Sequence, residues 1–286
     1  MIGFVNIYKP SGMTSSAVVV KLRKKFNIKK IGHMGTLDPM ACGILPIAIG
    51  KATRMFDYFL DKVKTYKAVF QFGILTDTLD IEGQIVKTSN VIPTKKQIDS
   101  VLNTFLGEID QIPPDFSAKS VGGVKAYKLA RQGQKVELRA KKVEIIHYEC
   151  IRQIDESKFE FIITCSSGTY IRSLARDLGE CLGTVASMCA LERVESGVFN
   201  LNNSYKLEDV LNDSDINSYI ISIDKVFPKI EVVEVSNNDF SKLKNGVCVK
   251  TDLKKDIYLL KYNNEVIGVG EVNNGLLSIK TYLMEW

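Results

Sequence analysis

Apolar residues occur in short clusters separated by polar turns, and their spacing predicts both strands and helices. Strands are predicted over 2–8 and 44–49, over 65–74, where apolar and polar residues alternate, and over the pair 143–153 and 159–165. Helices are predicted over 14–26, 51–61, 94–106, 126–131 and 169–182, the first of them after N-cap candidates Thr14, Ser15 and Ser16. Residues 31–43 contain three glycines and a proline, so they are predicted to form a shaped loop without regular structure.

The pattern changes near residue 229. Short strand candidates follow one another at 231–235, 248–250, 257–262, 266–272 and 277–280, separated by turns such as Asn245-Gly246 and Asn274-Gly275. This spacing predicts a small β-barrel of about 58 residues behind a mixed α/β domain. We therefore expect two domains, residues 1–228 and 229–286.

Composition restricts the chemistry that is available to the chain. The 286 residues are 45% hydrophobic and 25% charged, which is typical of a globular protein large enough to bury a core. Its six cysteines include no C-x-x-C pair and its two histidines are far apart, so no segment offers the four ligands of a zinc site. Neither histidine lies near a G-x-S-x-G motif, which disfavours a serine hydrolase.

The cellular location is predicted from two features that are not found in the sequence, a membrane-spanning run and a signal peptide. No apolar run approaches the ~20 residues that span a bilayer. The start of the chain, MIGFVNIYKPSG, has neither a basic region nor a signal-cleavage site. A cytoplasmic protein with reduced thiols and no membrane association is expected.

Charge is distributed unevenly along the chain. Residues 1–67 hold 12 Lys/Arg and three Asp/Glu, and residues 119–142 hold eight Lys/Arg and one Glu. Separate basic regions on a nearly neutral body favour a phosphate-rich partner such as RNA, although solvated lysine faces would give the same counts.

The segment GHMGTLDP at 32–39 carries the strongest chemical signal. Pro39 restricts Asp38 to extended backbone angles, and the flanking glycines allow a ligand to approach closely. A carboxylate on such a loop can attack an electrophilic sugar carbon, although an Asp before Pro is commonly only a turn residue. No second carboxylate lies nearby in the sequence, which disfavours an ordinary glycosidase pair.

Five motifs in collinear order resemble one family across nearly the whole chain. GHMGTLDPMACGILP at 32–46 resembles the G-H-x-G-x-L-D-P-x-A-x-G-x-L-P signature of the bacterial tRNA pseudouridine-55 synthases of the TruB type. The resemblance includes YKPSGMTS at 8–15, KTYK at 64–67, PPDFSA at 113–118 with AYKLAR at 126–131, and GTYIR at 168–172. It implies an α+β catalytic domain with a mixed, mostly antiparallel sheet, followed by a small PUA-like β-barrel that binds RNA.

The resemblance also implies a reaction and a set of catalytic residues. The enzyme breaks the N-glycosidic bond of uridine 55 in the tRNA T-loop, turns the uracil and rejoins it through carbon five. Asp38 matches the nucleophile, by attack on C1′ or by a glycal route. Arg172 matches the arginine that pairs with this aspartate, and Tyr66 matches the tyrosine that stacks on the flipped base and is placed for proton abstraction.

Three further positions match substrate-binding residues of the family. Tyr170 and Leu191 match positions that line the uridine pocket, and His33 matches the histidine that contacts the T-loop. Each could instead be an ordinary core or loop residue, just as Arg172 could be a surface or phosphate-binding arginine. Lys9 and Pro10 match residues with a structural role. No cofactor or metal is implied, because the reaction is an internal isomerisation.

The chain departs from the family pattern at two places. Lys119 stands one position before the usual lysine, whose place Ser120 takes, and Glu192 replaces a basic residue in the run after Leu191. These departures concern RNA contact and packing.

Three functions stay open on the sequence alone. The first is a stand-alone, monomeric tRNA-modifying enzyme that binds the T-arm and T-loop and needs no protein partner. The second is the catalytic subunit of a guide-RNA pseudouridylation particle, and the third is a non-catalytic RNA-binding or tRNA-folding protein. The presence of Asp38, Tyr66 and Arg172 together favours an enzyme.

Overall fold

The computed structural model describes residues 1–59, 63–117, 120–121, 123–126, 129, 132 and 138–284. Its contacts divide the chain into two compact units. The first unit comprises Met1–Leu37, Leu45–Leu60 and Asn202–Trp286, and the second comprises Asp38–Ile44 and Asp61–Leu201. Contact density groups chain segments without defining independently folding domains. The division into domains at residue 228 therefore stays a prediction.

Helices and strands are interspersed along the described part of the chain. Its α-helices are α1 (Ser15–Phe26), α2 (Lys95–Leu102), α3 (Ile171–Cys181), α4 (Leu207–Asn212), α5 (Ile223–Val226) and α6 (Asn237–Lys244). Its first ten strands are β1 (Gly3–Lys9), β2 (Ile31–His33), β3 (Cys42–Ile49), β4 (Lys64–Phe72), β5 (Ile74–Thr76), β6 (Ile85–Thr88), β7 (Gly107–Gln111), β8 (Ser120–Val121), β9 (Val124–Lys125) and β10 (Lys141–Gln153). The later strands are β11 (Lys158–Cys165), β12 (Ala186–Ser196), β13 (Phe199–Asn200), β14 (Tyr205–Lys206), β15 (Val232–Glu234), β16 (Val249–Lys250), β17 (Ile257–Tyr262), β18 (Glu265–Asn273) and β19 (Leu276–Tyr282).

Helix α1 of the first unit begins where the sequence predicts. The Thr14 side chain accepts a hydrogen bond from the Ala17 N–H at 3.0 Å and so caps the helix. Asn27 ends it in the left-handed conformation with φ 51°, and its N–H donates to the Arg23 carbonyl. The buried face carries Val18 and Leu22, at the spacing that predicts the helix.

Two sequence predictions in the first unit are wrong. Residues 31–33 are not loop but form β2, which pairs antiparallel with Ile47–Ile49 of β3, because a neighbouring strand satisfies their backbone groups. The helix predicted over 51–61 is replaced by two short 3₁₀ helices, Gly50–Met55 and Asp57–Phe59. Hydrophobic spacing alone does not separate these tight turns from an α-helix.

The predicted C-terminal β module is a five-stranded sheet with the order β15-β17-β18-β19-β16. Its own apolar cluster includes Leu243, Tyr258, Leu260 and Ile267. The predicted turn at 274–275 joins β18 to β19, and both of its residues have positive φ, which is the requirement of a two-residue hairpin of type I′. Helix α6, which was not predicted, packs beside this sheet.

The second unit is built on strands in the order β3-β12-β4-β11-β10-β7. All neighbours are antiparallel except β12 and the start of β3, which run parallel. Phe70 and Phe161, whose tilted rings have centroids 4.7 Å apart, pack together in the core between β4 and β11. Helix α3 packs against β12. The predicted α+β class with a mixed, mostly antiparallel sheet is confirmed.

Some predictions fall on parts of the chain that are not described. Most of the helix predicted over 126–131 lies outside the described residues, as do Lys119 and the side chain of Ser120. In the part of the chain that is described, no helix combines the length and the apolar character needed to cross a membrane.

Candidate active site

Asp38 stands at the start of a tight turn in the second unit. The Ala41 N–H donates to the Asp38 carbonyl at 3.1 Å, so residues 38–41 form a β-turn with Pro39 at its second position. Proline favours that position because its ring fixes the φ angle that the turn needs. Gly43, with φ 104°, then brings the chain against β12, where an added Cβ would lie 2.3 Å from the Arg193 carbonyl oxygen. The turn and the glycine together fix the path of the chain on which Asp38 lies.

Arg172 is positioned by the first turn of helix α3. Its backbone is anchored through Tyr170, the residue that precedes the helix. The Gln111 side chain on β7 accepts from the Tyr170 N–H at 2.7 Å and donates to the Tyr170 carbonyl at 3.1 Å. The oxygen and the nitrogen of the buried Gln111 amide therefore both hold the start of α3, and with it the backbone of Arg172.

Arg172 and Asp38 form a two-pronged ion pair. The Arg172 Nε lies 2.9 Å from Asp38 Oδ2, and its Nη2 donates to Asp38 Oδ1 at 3.1 Å. Parallel bonds of this kind fix the plane of the carboxylate as well as its charge. The Arg172 side chain is 7% exposed, whereas that of Asp38 is 31% exposed. The arginine is therefore buried while the carboxylate stays accessible to a ligand.

A second carboxylate, Asp80, holds Arg172 from another direction. Asp80 Oδ2 lies 3.3 Å from Arg172 Nη1, and its side chain is 6% exposed. Its other oxygen accepts from the Thr78 hydroxyl at 2.7 Å and from the Glu82 N–H at 3.1 Å. The carbonyls of Thr78 and Phe116 accept from the Arg172 Nη1 and Nη2 groups at 3.0 and 3.2 Å. The guanidinium is thus held on several sides before any substrate binds.

Asp80 is a residue of this site that the sequence analysis did not identify. Asp80 and Asp38 are distant in sequence, and each of them contacts Arg172. Asp80 is buried and engaged by its neighbours, so it is placed to orient the arginine and not to contact a substrate. Only the polar run TDTLD at 76–80, between apolar strands, could have marked it as a candidate.

Tyr66 and Leu191 lie on the same face of the sheet. In the antiparallel pair of β4 and β12, Tyr66 is opposite Arg193 and Leu191 is opposite Ala68, and opposed residues project to one side. Tyr66 and Leu191 are each 7% exposed. This face thus combines a phenol, a buried guanidinium and an apolar side chain.

Burial raises the pKa of Tyr66 to about 12, and the positive charge of Arg193 opposes this rise. The Asp38 carboxylate raises the pKa slightly further, so the phenol and the carboxylate lie within electrostatic range of each other. At neutral pH the Tyr66 hydroxyl therefore keeps its proton.

The remaining predicted residues are placed as follows. Tyr170 is half-buried at the start of α3 in the second unit. His33 belongs to the first unit, on β2, where it pairs with Ile47 of β3 and is half-buried. Lys9, also in the first unit, is buried and donates to the carbonyls of Pro10 and Met13, which fits a structural role.

The site supplies an accessible carboxylate, fixed by its ion pair with Arg172, within electrostatic range of a protonated phenol. Arginine keeps its charge at all physiological pH values, so its contact favours the ionised form of Asp38. Among the described residues, no three His, Cys, Asp or Glu side chains converge where they could hold a metal ion. The chemistry that these side chains offer is nucleophilic attack by Asp38 or stabilisation of positive charge next to it.

Two family profiles match adjacent parts of the chain. Residues 23–171 match the N-terminal domain of the TruB family of pseudouridylate synthases, and residues 172–226 match the C-terminal domain of tRNA pseudouridylate synthase B. The first match ends, and the second begins, between Ile171 and Arg172 of helix α3.

Relatives match over most or all of their length. The tRNA pseudouridine synthase B of Clostridium novyi (strain NT) is 41% identical over 99% of this chain and 100% of its own. That of Clostridium acetobutylicum is 44% identical over 87% of this chain and 86% of its own. A crystal structure of a Cbf5-Nop10-Gar1 complex contains a chain with the same fold, with a TM-score of 0.74 and 24% identity over 99% of this chain and 85% of that one. From the profile and the full-length relatives, this chain belongs to the TruB family of pseudouridine synthases.

Proposed function

We propose that this protein isomerises uridine to pseudouridine at position 55 in the T-loop of tRNA. The observation that carries the proposal is the two-pronged contact between Arg172 and the accessible carboxylate of Asp38. The reaction class follows from the family, and tRNA as the substrate is supported by the names of relatives that align over the whole chain.

Asp38 acts at the sugar. An ionised carboxylate next to C1′ can attack that carbon as the bond to N1 breaks, or assist a glycal route in which the sugar loses a proton instead. The released uracil then turns and forms a bond from C5 to C1′. The C5 proton is lost and N1 gains one, so atoms and charge balance without an outside reactant.

Arg172 keeps Asp38 ionised and oriented, and Asp80 fixes Arg172. A freely rotating carboxylate would react more slowly, because a reacting group must be held close to the attacked carbon. The contacts of Arg172 with Thr78 and Phe116 add to this pre-organisation.

Binding of the target nucleotide and its loop is assigned to four residues, Tyr66, Tyr170, Leu191 and His33. The target uridine has to leave the stack of the T-loop before Asp38 can reach its sugar. Tyr66 offers a flat face for stacking and a hydroxyl for the proton transfer at C5, while Tyr170 and Leu191 line the pocket. His33 contacts the T-loop near the extruded nucleotide.

Further expectations concern the context in which the protein acts. We expect it to work in the cytoplasm, as a monomer, without a metal, a cofactor or an obligate protein partner. The PUA-like module at 229–286 carries none of the three catalytic candidates. We therefore expect it to contribute affinity for tRNA and not to take part in the reaction.

The test is conversion of an unmodified tRNA transcript, with pseudouridine mapped at nucleotide resolution. We expect modification at position 55, and none by Asp38→Asn in a single turnover at saturating enzyme. The variant should bind tRNA within a few-fold of the wild type, because the basic surface that binds RNA is spread over many residues. Substantial pseudouridine formation by Asp38→Asn would mean that the nucleophile is misassigned.

Other outcomes of the same assay point to the alternative functions. Tight tRNA binding by the wild type without conversion would indicate an RNA-binding or tRNA-folding protein. Conversion only after addition of a guide RNA would indicate a subunit of a guide-RNA particle.

A further inference from the structure

Lys64, in the second unit, carries a buried ammonium group whose charge is not neutralised by a carboxylate. Its side chain is 8% exposed, and its Nζ donates to the Ser167 hydroxyl at 3.1 Å. Within the described part of the chain this is the one hydrogen bond of the ammonium, and Lys64 takes part in no ion pair. Burying a charge carries a desolvation cost that one bond to a neutral hydroxyl does not offset. A neutral side chain could make the same bond, so the charge calls for a further partner.

The residues opposite Lys64 do not supply the missing negative charge. Cys165 is its partner on β11, and burial raises the pKa of this thiol to about 11, so the thiol is neutral at pH 7. Ser196 is its partner on β12, and the buried Ser196 hydroxyl has no hydrogen-bond partner among the described residues. The charge of Arg193 lowers the pKa of Lys64, so this neighbour is another cation.

A second lysine, Lys141 on β10, lies over the segment that joins β11 to α3. A Cβ added to Gly168 would lie 2.6 Å from the Lys141 Nζ, so the absence of a side chain at this position leaves room for the ammonium. The charge of Lys141 also lowers the pKa of Lys64, because the two cations are within electrostatic range. In the described part of the chain Lys141 pairs with no carboxylate, whereas Lys142 beside it pairs with Glu108.

The segment between these lysines adds further hydrogen-bond donors. Residues 166–169 form a turn in which Gly168 has φ 88°. The Ser167 hydroxyl accepts from Lys64, so its own hydrogen can be donated to another acceptor. The N–H groups of Ser167 and Gly168 meet no acceptor within the described residues. Such donors beside two ammonium groups suit an anion with several oxygens, such as a phosphate.

These groups lie next to the candidate active site. Lys64 is two residues before Tyr66 on β4, so their side chains project to the same face. The turn 166–169 leads directly into Tyr170 and Arg172 at the start of α3. Every ribose of an RNA chain has a phosphate on its 5′ side and another on its 3′ side. A nucleotide held at this face therefore brings negative charge towards the two lysines.

We propose that Lys64, Lys141 and the turn 166–169 form a phosphate-binding site, which holds one backbone phosphate of the RNA next to the nucleotide that reacts. The inference rests on the proposed function, because it takes RNA as the ligand. The bound phosphate supplies the negative charge that Lys64 lacks, and no covalent bond forms or breaks at this site. Contacts to phosphates fix the position of a nucleic acid on a protein, so this contact would help to hold the target sugar in place.

The test is a binding cycle between each lysine and single phosphates. T-arm hairpins carry one methylphosphonate, which is uncharged, at successive positions around the target uridine. Every protein carries Asp38→Asn, so that no conversion occurs while affinity is measured by filter binding. Lys64→Met and Lys141→Met each remove one charge. Lys158→Met is the control, because Lys158 is a lysine on β11 that pairs with Asp155.

We expect Lys64→Met to weaken binding of the unmodified hairpin about ten-fold or more, the effect of losing a hydrogen bond to a charged group. Lys141→Met should have a smaller effect, because Lys141 is exposed. Each variant should also reduce the slope of log affinity against log salt by about one. At one position, the methylphosphonate should weaken binding by the control protein but cause no further loss with Lys64→Met. Losses that add at every position would overturn the proposal.

Inorganic phosphate distinguishes an RNA phosphate from a free anion as the ligand. Its effect on the urea midpoint, relative to chloride at equal ionic strength, is compared between the wild type and Lys64→Met. Stabilisation that depends on Lys64, without coupling to any RNA phosphate, would indicate a site for a free anion and would also overturn the proposal. The cycle measures binding alone, so a wild type that binds the hairpin without forming pseudouridine would contradict the proposed function and not this inference.

Discussion

The buried ammonium group of Lys64 lowers the free energy of unfolding at neutral pH, and this destabilisation should disappear at high pH. Its side chain is 8% exposed, and its Nζ donates to the Ser167 hydroxyl at 3.1 Å. Burial, with smaller contributions from the cations Arg193 and Lys141, lowers the pKa of Lys64 from 10.5 to about 8. Replacing Lys64 by Met keeps the length of the side chain and removes the charge.

The expected magnitude follows from the difference between the folded and unfolded pKa values. The folded state holds the proton less tightly than the unfolded state, so Lys64 destabilises the fold fully below about pH 8 and ceases to do so above pH 10.5. At about 1.4 kcal/mol per pH unit the full penalty is about 3 kcal/mol. Between pH 7 and pH 10 the wild type should therefore regain about 2 kcal/mol of stability through this one group.

The assay is urea unfolding of the wild type and Lys64→Met at several pH values between 7 and 10. The free energy of unfolding of the wild type, taken relative to the variant, should rise by about 2 kcal/mol across this range. Lys67→Met is the control, because Lys67 is an exposed lysine on the same strand. Its difference from the wild type should stay constant. A constant difference for Lys64→Met as well would refute the reasoning, because the ammonium would then be as well solvated in the fold as in the unfolded chain.

Three further results are expected. Arg172→Lys keeps the charge but loses the two-pronged contact with Asp38, so the single-turnover rate should fall by at least about 10²-fold while tRNA affinity in filter binding changes little; an unchanged rate would show that the fork is dispensable. Gly43→Ala places a Cβ against the backbone of Arg193 and should lower the urea midpoint more than Gly107→Ala, because Gly107 also has a positive φ, 84° against 104°, but open space around it; equal losses would mean that backbone strain, and not the close approach, is what matters. Affinity for tRNA should fall steadily as salt rises, because the basic residues in 1–67 and 119–142 release counterions from the RNA; affinity that is flat between low and moderate salt would contradict a phosphate-binding surface.

The sequence by itself determined the elements whose cause is local. The cap at Thr14 and the positive-φ turn at 274–275 depend on residues within four positions of each other, so their chemistry could be identified without knowing the fold. The pair β10 and β11 was predicted for the same reason, because a polar turn joins two adjacent strands. The Asp38-Pro39 turn is local too, and the family resemblance added the role that the residues alone left open.

Predictions failed where partners from elsewhere in the chain decide the structure. The sequence pattern predicts no strand where the structure has β12. This strand forms because β4 and β3 lie on its two sides and complete its backbone hydrogen bonds. Residues 31–33, at the start of the predicted loop 31–43, form β2 for a similar reason, because they pair with β3. Local propensity is weak for such segments, and strand pairing outweighs it.

The surroundings of the candidate site were decided by the tertiary structure alone. Arg172 comes from helix α3, Asp38 from a turn far upstream, and Asp80 from a third segment, and only the folded sheet brings these three charges within 3.3 Å contacts. Arg193 lies opposite Tyr66 because of the register of β12 on β4, and a shift by one residue would turn the two side chains to different faces. The sequence could name the group that we propose to react, because its chemistry belongs to one side chain. Which charges surround that group depends on register and burial, and these are properties of the packed chain.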